Sequence, residues 1–93
     1  MNNEKIMTLN HDGKKGVNID RNKYETMKTT ILGVLKEHGD ATLSQLINLV
    51  ENKLAGSFDG KIGWYLMAVK LDLEVRGIIK KVPGKKPQTL TLP

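Results

Sequence analysis

Residues Ile62 to Val75 set the hardest condition on this chain. Wound as a helix at 100° per residue, they are apolar on two nearly opposite sides. Ile62, Leu66, Val69 and Leu73 fall on one side, and Trp64, Met67, Ala68, Leu71 and Val75 on the other. Charge is confined to two narrow seams, Lys61, Asp72 and Arg76 in one and Lys70 and Glu74 in the other. A helix apolar on two sides has to be covered on two sides, and a chain of 93 residues has little material to do it with. About seventy residues are left for a packed unit once a loosely organised start is set aside, and a unit of that size buries only about 60% of its unfolded surface. This helix is expected to begin near Ser57–Gly60 and to end at Arg76, with Gly77 just past its end.

Two more helices are legible upstream. Asp20 is a good N-cap because its carboxylate can accept the orphan amides of a first turn, and Ile19 and Tyr24 have the spacing of a hydrophobic staple. Tyr24, Met27, Ile31, Val34 and Leu35 then recur at helical spacing as far as Gly39, with Lys36 and His38 in the last turn, where the helix dipole favours cations. Gly33 costs about 1 kcal/mol against Ala inside that helix and is read as the mark of a close helix crossing. Thr42-Leu43-Ser44-Gln45 is a capping box opening a helix with the stripe Leu43, Leu46, Ile47, Val50 and Leu54, closed by Gly56. The link from Gly39 to Ala41 is so short that these two helices must be neighbours. Before Asp20, Ile6, Met7 and Leu9 suggest a short strand, His11-Asp12-Gly13 and Lys15-Gly16 read as turns, and Val17 and Ile19 suggest a docked end.

After Gly77 the period changes from 3.6 to 2. Ile78 to Val82 reads as a strand, Pro83-Gly84-Lys85-Lys86-Pro87 as a turn, and Gln88 to Leu92 as a second strand with Leu90 and Leu92 on one face. The two make a hairpin. The fold class expected is α+β, mostly α: residues 1–19 as a partly flexible N-terminal extension with one short strand, and residues 20–93 as a three-helix domain ending in the hairpin.

Helix, short link, capped helix, helix and hairpin is an order that resembles the winged helix-turn-helix superfamily. The resemblance rests on Thr42-Leu43-Ser44-Gln45-Leu46 and on Leu71-Asp72-Leu73-Glu74-Val75-Arg76-Gly77-Ile78-Ile79. The second is similar to the junction between recognition helix and wing in many bacterial winged-helix proteins. With Gly13-Lys14-Lys15-Gly16-Val17 and Gly63-Trp64-Tyr65-Leu66, the whole chain also looks similar to a family of small uncharacterised bacterial winged-helix-like proteins, which carries no activity over to this one. The resemblance implies a role in binding double-stranded DNA, with the third helix in the major groove and the wing on the backbone or minor groove.

Charge bears on that implication. The net charge is +5 with a pI near 9.6, and residues 57–93 carry seven basic and three acidic side chains. The excess comes from Lys80, Lys81, Lys85 and Lys86, which suit phosphate contacts, joined by Lys61, Lys70 and Arg76. Lysines on an edge hairpin also serve simply to block strand addition. The third helix fits DNA poorly, since base readout needs Arg, Lys, Asn, Gln or Ser, and the outer side offers Trp64, Met67, Leu71 and Val75. Such a stripe implies a partner face, to be covered by the N-terminal segment through Ile6, Leu9 and Val17 or by a second copy of the chain. The plainer reading makes both faces core.

Two functions follow as expectations: an electrostatic DNA binder of the regulator type, or a protein-interaction or homodimerisation module. No enzymatic role, small-molecule substrate, cofactor or metal site is expected. There is no cysteine, the two histidines His11 and His38 have no convergent partners, and no phosphate-binding loop, dinucleotide fingerprint or nucleophile elbow occurs. Trp64, Tyr65, Tyr24 and Phe58 show no spacing of a base-stacking platform. The opening Met-Asn-Asn-Glu-Lys has no apolar run and the longest stretch free of charged and strongly polar residues is Ile62 to Val69, so neither a secretory leader nor a membrane span is expected, and a cytoplasmic location is.

Overall fold

The described part of the chain opens with a hairpin. The computed structural model describes residues 4–10 and 13–93, and strand β1 (Lys5–Leu9) pairs antiparallel with β2 (Lys15–Asp20). The expected strand and docked end are both present, Ile19 being fully buried, but Lys15 and Gly16 belong to a strand rather than a turn. The expected turn at residues 11–13 falls partly on His11 and Asp12, which lie outside the described residues. Thr8 interrupts the ladder: its hydroxyl accepts from the Val17 amide at 2.9 Å and donates to the Val17 carbonyl at 3.1 Å. Residue 16 must be glycine for this, because a Cβ there would stand 2.5 Å from that hydroxyl oxygen.

Helix α1 (Arg21–His38) starts where the Asp20 carboxylate accepts the Asn22 amide at 2.9 Å and stops at Gly39, whose φ of +85° no L side chain adopts comfortably. Its stripe Tyr24, Met27, Ile31, Val34 and Leu35 is buried as the spacing predicts. Gly33 does not mark a close crossing, since a Cβ there would meet nothing within 4 Å. The link beyond Gly39 holds an element that the sequence does not announce: Ala41–Thr42 form a two-residue strand, β3. Thr42 then caps α2 (Leu43–Leu54) with both bonds of the capping box, Gln45 N–H to the Thr42 hydroxyl at 3.2 Å and Thr42 N–H to the Gln45 carbonyl at 3.0 Å.

Helix α3 spans Ile62–Val75 and starts later than expected. Ser57 turns back onto the Leu54 carbonyl through both its amide and its hydroxyl, and Gly60 sits at φ +133°, so Ser57–Gly60 connect the helices and cannot extend one. The C-terminus is a Schellman motif: Gly77, at φ +75°, donates to Glu74 and Ile78 donates to Leu73. That motif also explains why the next strand is shorter than its apolar pattern. The amides of Ile78 and Ile79 both turn to the Leu73 carbonyl, so the ladder of β4 holds only Lys80–Lys81. Strand β5 is Thr89–Thr91, also within the expected run, and lies between β3 and β4 in an antiparallel sheet. Ala41 faces Leu90, and Lys80 faces Thr91.

Among the described residues, three helices and two small antiparallel sheets make the architecture α+β and mostly α. One core joins them: Met27 and Ile31 of α1, Leu46 and Val50 of α2, Leu66, Val69 and Leu73 of α3, and Leu90 of β5 are all fully buried. The inner side of α3 is thereby settled.

Candidate functional site

The outer side of α3 is only half covered. Leu71 and Ala68 are partly buried, whereas Trp64 is 51% exposed and Met67 and Val75 are each 37% exposed. The cover is the N-terminal hairpin, one of the two candidates the sequence offers. Leu9 and Val17 face Trp64, Met67, Ala68 and Leu71 across an open cleft of about 210 Å³. A second depression of about 340 Å³ continues from Leu71 along Val75 to Ile79, Lys80 and Lys81. Leu71 lines both, so the two depressions adjoin along the outer side of α3 as a two-part trough, apolar beside the hairpin and lined by Glu74, Lys80 and Lys81 as well as Val75 and Ile79 beyond it. Trp64 is held on edge against Tyr65, with ring centroids 4.9 Å apart and planes at 81°. Tyr65 is itself braced edge-to-face by Phe58 at 5.2 Å and carries the Lys23 ammonium 5.1 Å above its ring.

What fixes the hairpin against α3 is a buried carboxylate. Asp72 is fully buried and accepts from the Tyr24 hydroxyl, from the Leu9 amide at 2.8 Å and from the Arg76 guanidinium at 2.9 Å. One side chain therefore ties β1, α1 and α3 together. Burial, then the hydrogen bond to Asp72, drives the Tyr24 phenol far above its ordinary range, so the proton stays on tyrosine. The same carboxylate raises the Arg76 guanidinium further. In helical projection Asp72 falls on a charged seam, which does not announce its burial. The signal of that burial lies in Tyr24: a phenol on a core stripe needs an acceptor from somewhere.

The sequence-predicted phosphate contacts divide into three groups. Lys80, Lys81, Lys85 and Lys86 are exposed on β4 and the turn after it, with Lys81 lying 3.9 Å from Glu74. Lys61 is exposed at the N-terminus of α3, about 21 Å of helix away, and is no part of that cluster. Lys70 has to be removed from the set. Its side chain is 3% exposed and its ammonium is paired with Glu74 at 2.8 Å, because a buried ammonium needs its counter-charge within the fold. Arg76 is engaged by Asp72, though its side chain remains 40% exposed. The interaction residues Trp64, Met67, Leu71 and Val75 do come together on one side. His38 is exposed at the end of α1, and His11 lies outside the described residues. Among the described residues no group of three or more His, Cys, Asp or Glu is placed to hold a metal ion, and no helix is long and apolar enough to cross a membrane.

Compared with known families, residues 5–90 match one whose description is "Family of unknown function (DUF6958)". No curated protein and no solved structure matches the chain.

Proposed function

We propose that this chain, which belongs to that family of unknown function, is a winged-helix protein-interaction module whose contact face is the outer side of α3. The order of elements supports the winged-helix part. A strand between the first two helices pairs with the second strand of a C-terminal hairpin, and the third helix leads directly into that hairpin. The observation that carries the functional part is the pairing of large exposed apolar groups with inward-turned charge. Trp64, Met67 and Val75 stand in water while Lys70 and Asp72 of the same helix are buried. A helix with that distribution offers little beyond the Trp64 indole N–H to a base edge and a large apolar area to a protein. Trp and Met are also among the residues enriched in protein interfaces.

The test is a photo-crosslinking amino acid placed at Met67 and, as a control, at Glu25 on exposed α1 surface, in the full chain inside its native cells. A discrete adduct with another polypeptide at position 67 and none at 25 is the expected result. Equal or absent crosslinking at both positions refutes the reading.

The wing lysines favour a second reading, contact with the backbone of double-stranded DNA. Lys80, Lys81, Lys85 and Lys86 are exposed within seven residues, around a Gly84 whose φ of +74° forms the tight turn. Four phosphate contacts imply that binding falls with salt with a logarithmic slope of about −3.6. Amide shifts on titration with a random duplex at two salt concentrations check this, and an interaction insensitive to salt refutes it.

A further inference from the structure

We infer that the trough along α3 takes an acidic amphipathic segment of another protein, an inference that rests on the interaction reading above and adds the chemistry of the partner. The floor is apolar, through Leu71, Met67 and Trp64. Lysines stand at one end of the rim and near the other. Lys80 and Lys81 line its C-terminal part. On the hairpin side the lining residues Asn10 and Gly16 adjoin exposed Lys14 and Lys15, the Lys14 carbonyl accepting from the Asn10 amide at 2.6 Å. Glu74 is the carboxylate that lines the trough, and it already faces Lys70 at 2.8 Å and Lys81 at 3.9 Å. An incoming segment therefore meets apolar surface at the centre and lysines at the margins, with Glu74 offsetting part of the charge at the C-terminal one. Its best complement is a short apolar run with Asp or Glu on both flanks.

A second copy of the chain is a poorer occupant. A two-fold contact would bring identical rims together, and each copy carries a net charge of +5. From Trp64 to Val75 the helix runs about 17 Å, the length of about three turns of a partner helix or about five extended residues. One segment of that size is enough to cover the face.

The experiment is selection of random twelve-residue peptides on the immobilised full chain. The winners are then measured by fluorescence anisotropy on the parent and on two variants, and by the emission of Trp64 wherever that residue is kept. One variant is Trp64→Ser/Met67→Ser, whose side chains are exposed, so that the fold is preserved and circular dichroism can verify it. The other is Lys14→Gln/Lys15→Gln/Lys80→Gln/Lys81→Gln. The expected winners combine apolar residues with an excess of Asp and Glu, lose at least tenfold in affinity on the first variant, and lose several-fold on the second. Winners without acidic excess that still depend on Trp64 and Met67 overturn the acidic partner and leave the interaction face standing. Winners indifferent to Trp64 and Met67 overturn both. A random DNA duplex that shifts Trp64 emission where no peptide does assigns the trough to nucleic acid and overturns the inference.

Discussion

Replacing Asp72 by Ala is the perturbation that most directly tests how this fold is held together. The carboxylate has three partners, and their fates differ once it is gone. The Tyr24 hydroxyl is buried and the Leu9 amide is partly buried. Each such orphaned donor costs about 1–3 kcal/mol. Arg76 is two-fifths exposed and regains solvent, so its share is small. The sum is about 2–6 kcal/mol against a total stability of about 5–14 kcal/mol for a chain of this length. Urea denaturation followed by circular dichroism measures it, and exchange of the Leu9 amide shows that the hairpin is what loosens. Asp72→Asn keeps the shape and one oxygen acceptor and should lose about half as much. Tyr24→Phe in both backgrounds completes a double-mutant cycle, and a coupling of about 1 kcal/mol or more is expected. An Asp72→Ala variant within about 0.5 kcal/mol of the parent, or a coupling of zero, refutes the idea that this carboxylate joins the three elements.

Other residues give sharper, smaller tests. The Tyr24 phenol is raised in the fold from an ordinary value near 10, so the stability it supplies is complete below pH 10 and is lost as pH rises beyond that. Stability measured from pH 9 to 11.5 should fall more steeply for the parent than for Tyr24→Phe, and identical slopes would contradict the assignment. Two glycines should respond with opposite signs: Gly33→Ala stabilises by about 0.5–1 kcal/mol because the site is open and helical, and Gly16→Ala destabilises by about 1–3 kcal/mol because of Thr8, both read from urea midpoints. Glu74→Ala leaves the Lys70 ammonium buried without its partner and should cost about 3 kcal/mol, whereas Lys70→Met/Glu74→Leu should be near neutral, as thermal melting of the two variants will show.

The parts legible in the sequence are those written in local chemistry. The Asp20 and Thr42 caps, the stops at Gly39 and Gly77, and the stripe from Tyr24 to Leu35 each depend on residues within one or two turns, and each is where the pattern puts it. Strand β3 is illegible because two residues carry no period; only the arrival of Leu90 opposite Ala41 makes them a strand. The start of α3 is misplaced because Ser57–Gly60 look permissive, and a backbone turn at Ser57 decides the matter. At the candidate site the apolar residues are legible and the charged ones are not. A helical projection separates faces but cannot say which seam another element will cover. The hairpin covers the seam holding Asp72, and the Glu74 pair follows Lys70 inward.

That partial cover bears on whether the second apolar face is core or contact surface. Had it been core, the cheapest arrangement would bring β1 and β2 down over its largest side chain. Instead the smaller Ala68 and Leu71 are the better covered, while Trp64 stays half exposed and is braced by Tyr65. The bond from the Leu9 amide to Asp72 helps fix this, because a hairpin tied to Asp72, two turns beyond Trp64, is anchored away from the tryptophan. The half-exposed indole forgoes about half the stabilisation of a fully buried one. Its edge contact with Tyr65 returns about 0.5–1.5 kcal/mol at most. The remaining apolar area is therefore available to stabilise an assembly, and Asp72, by setting where the hairpin stops, sets how much of the face is left open.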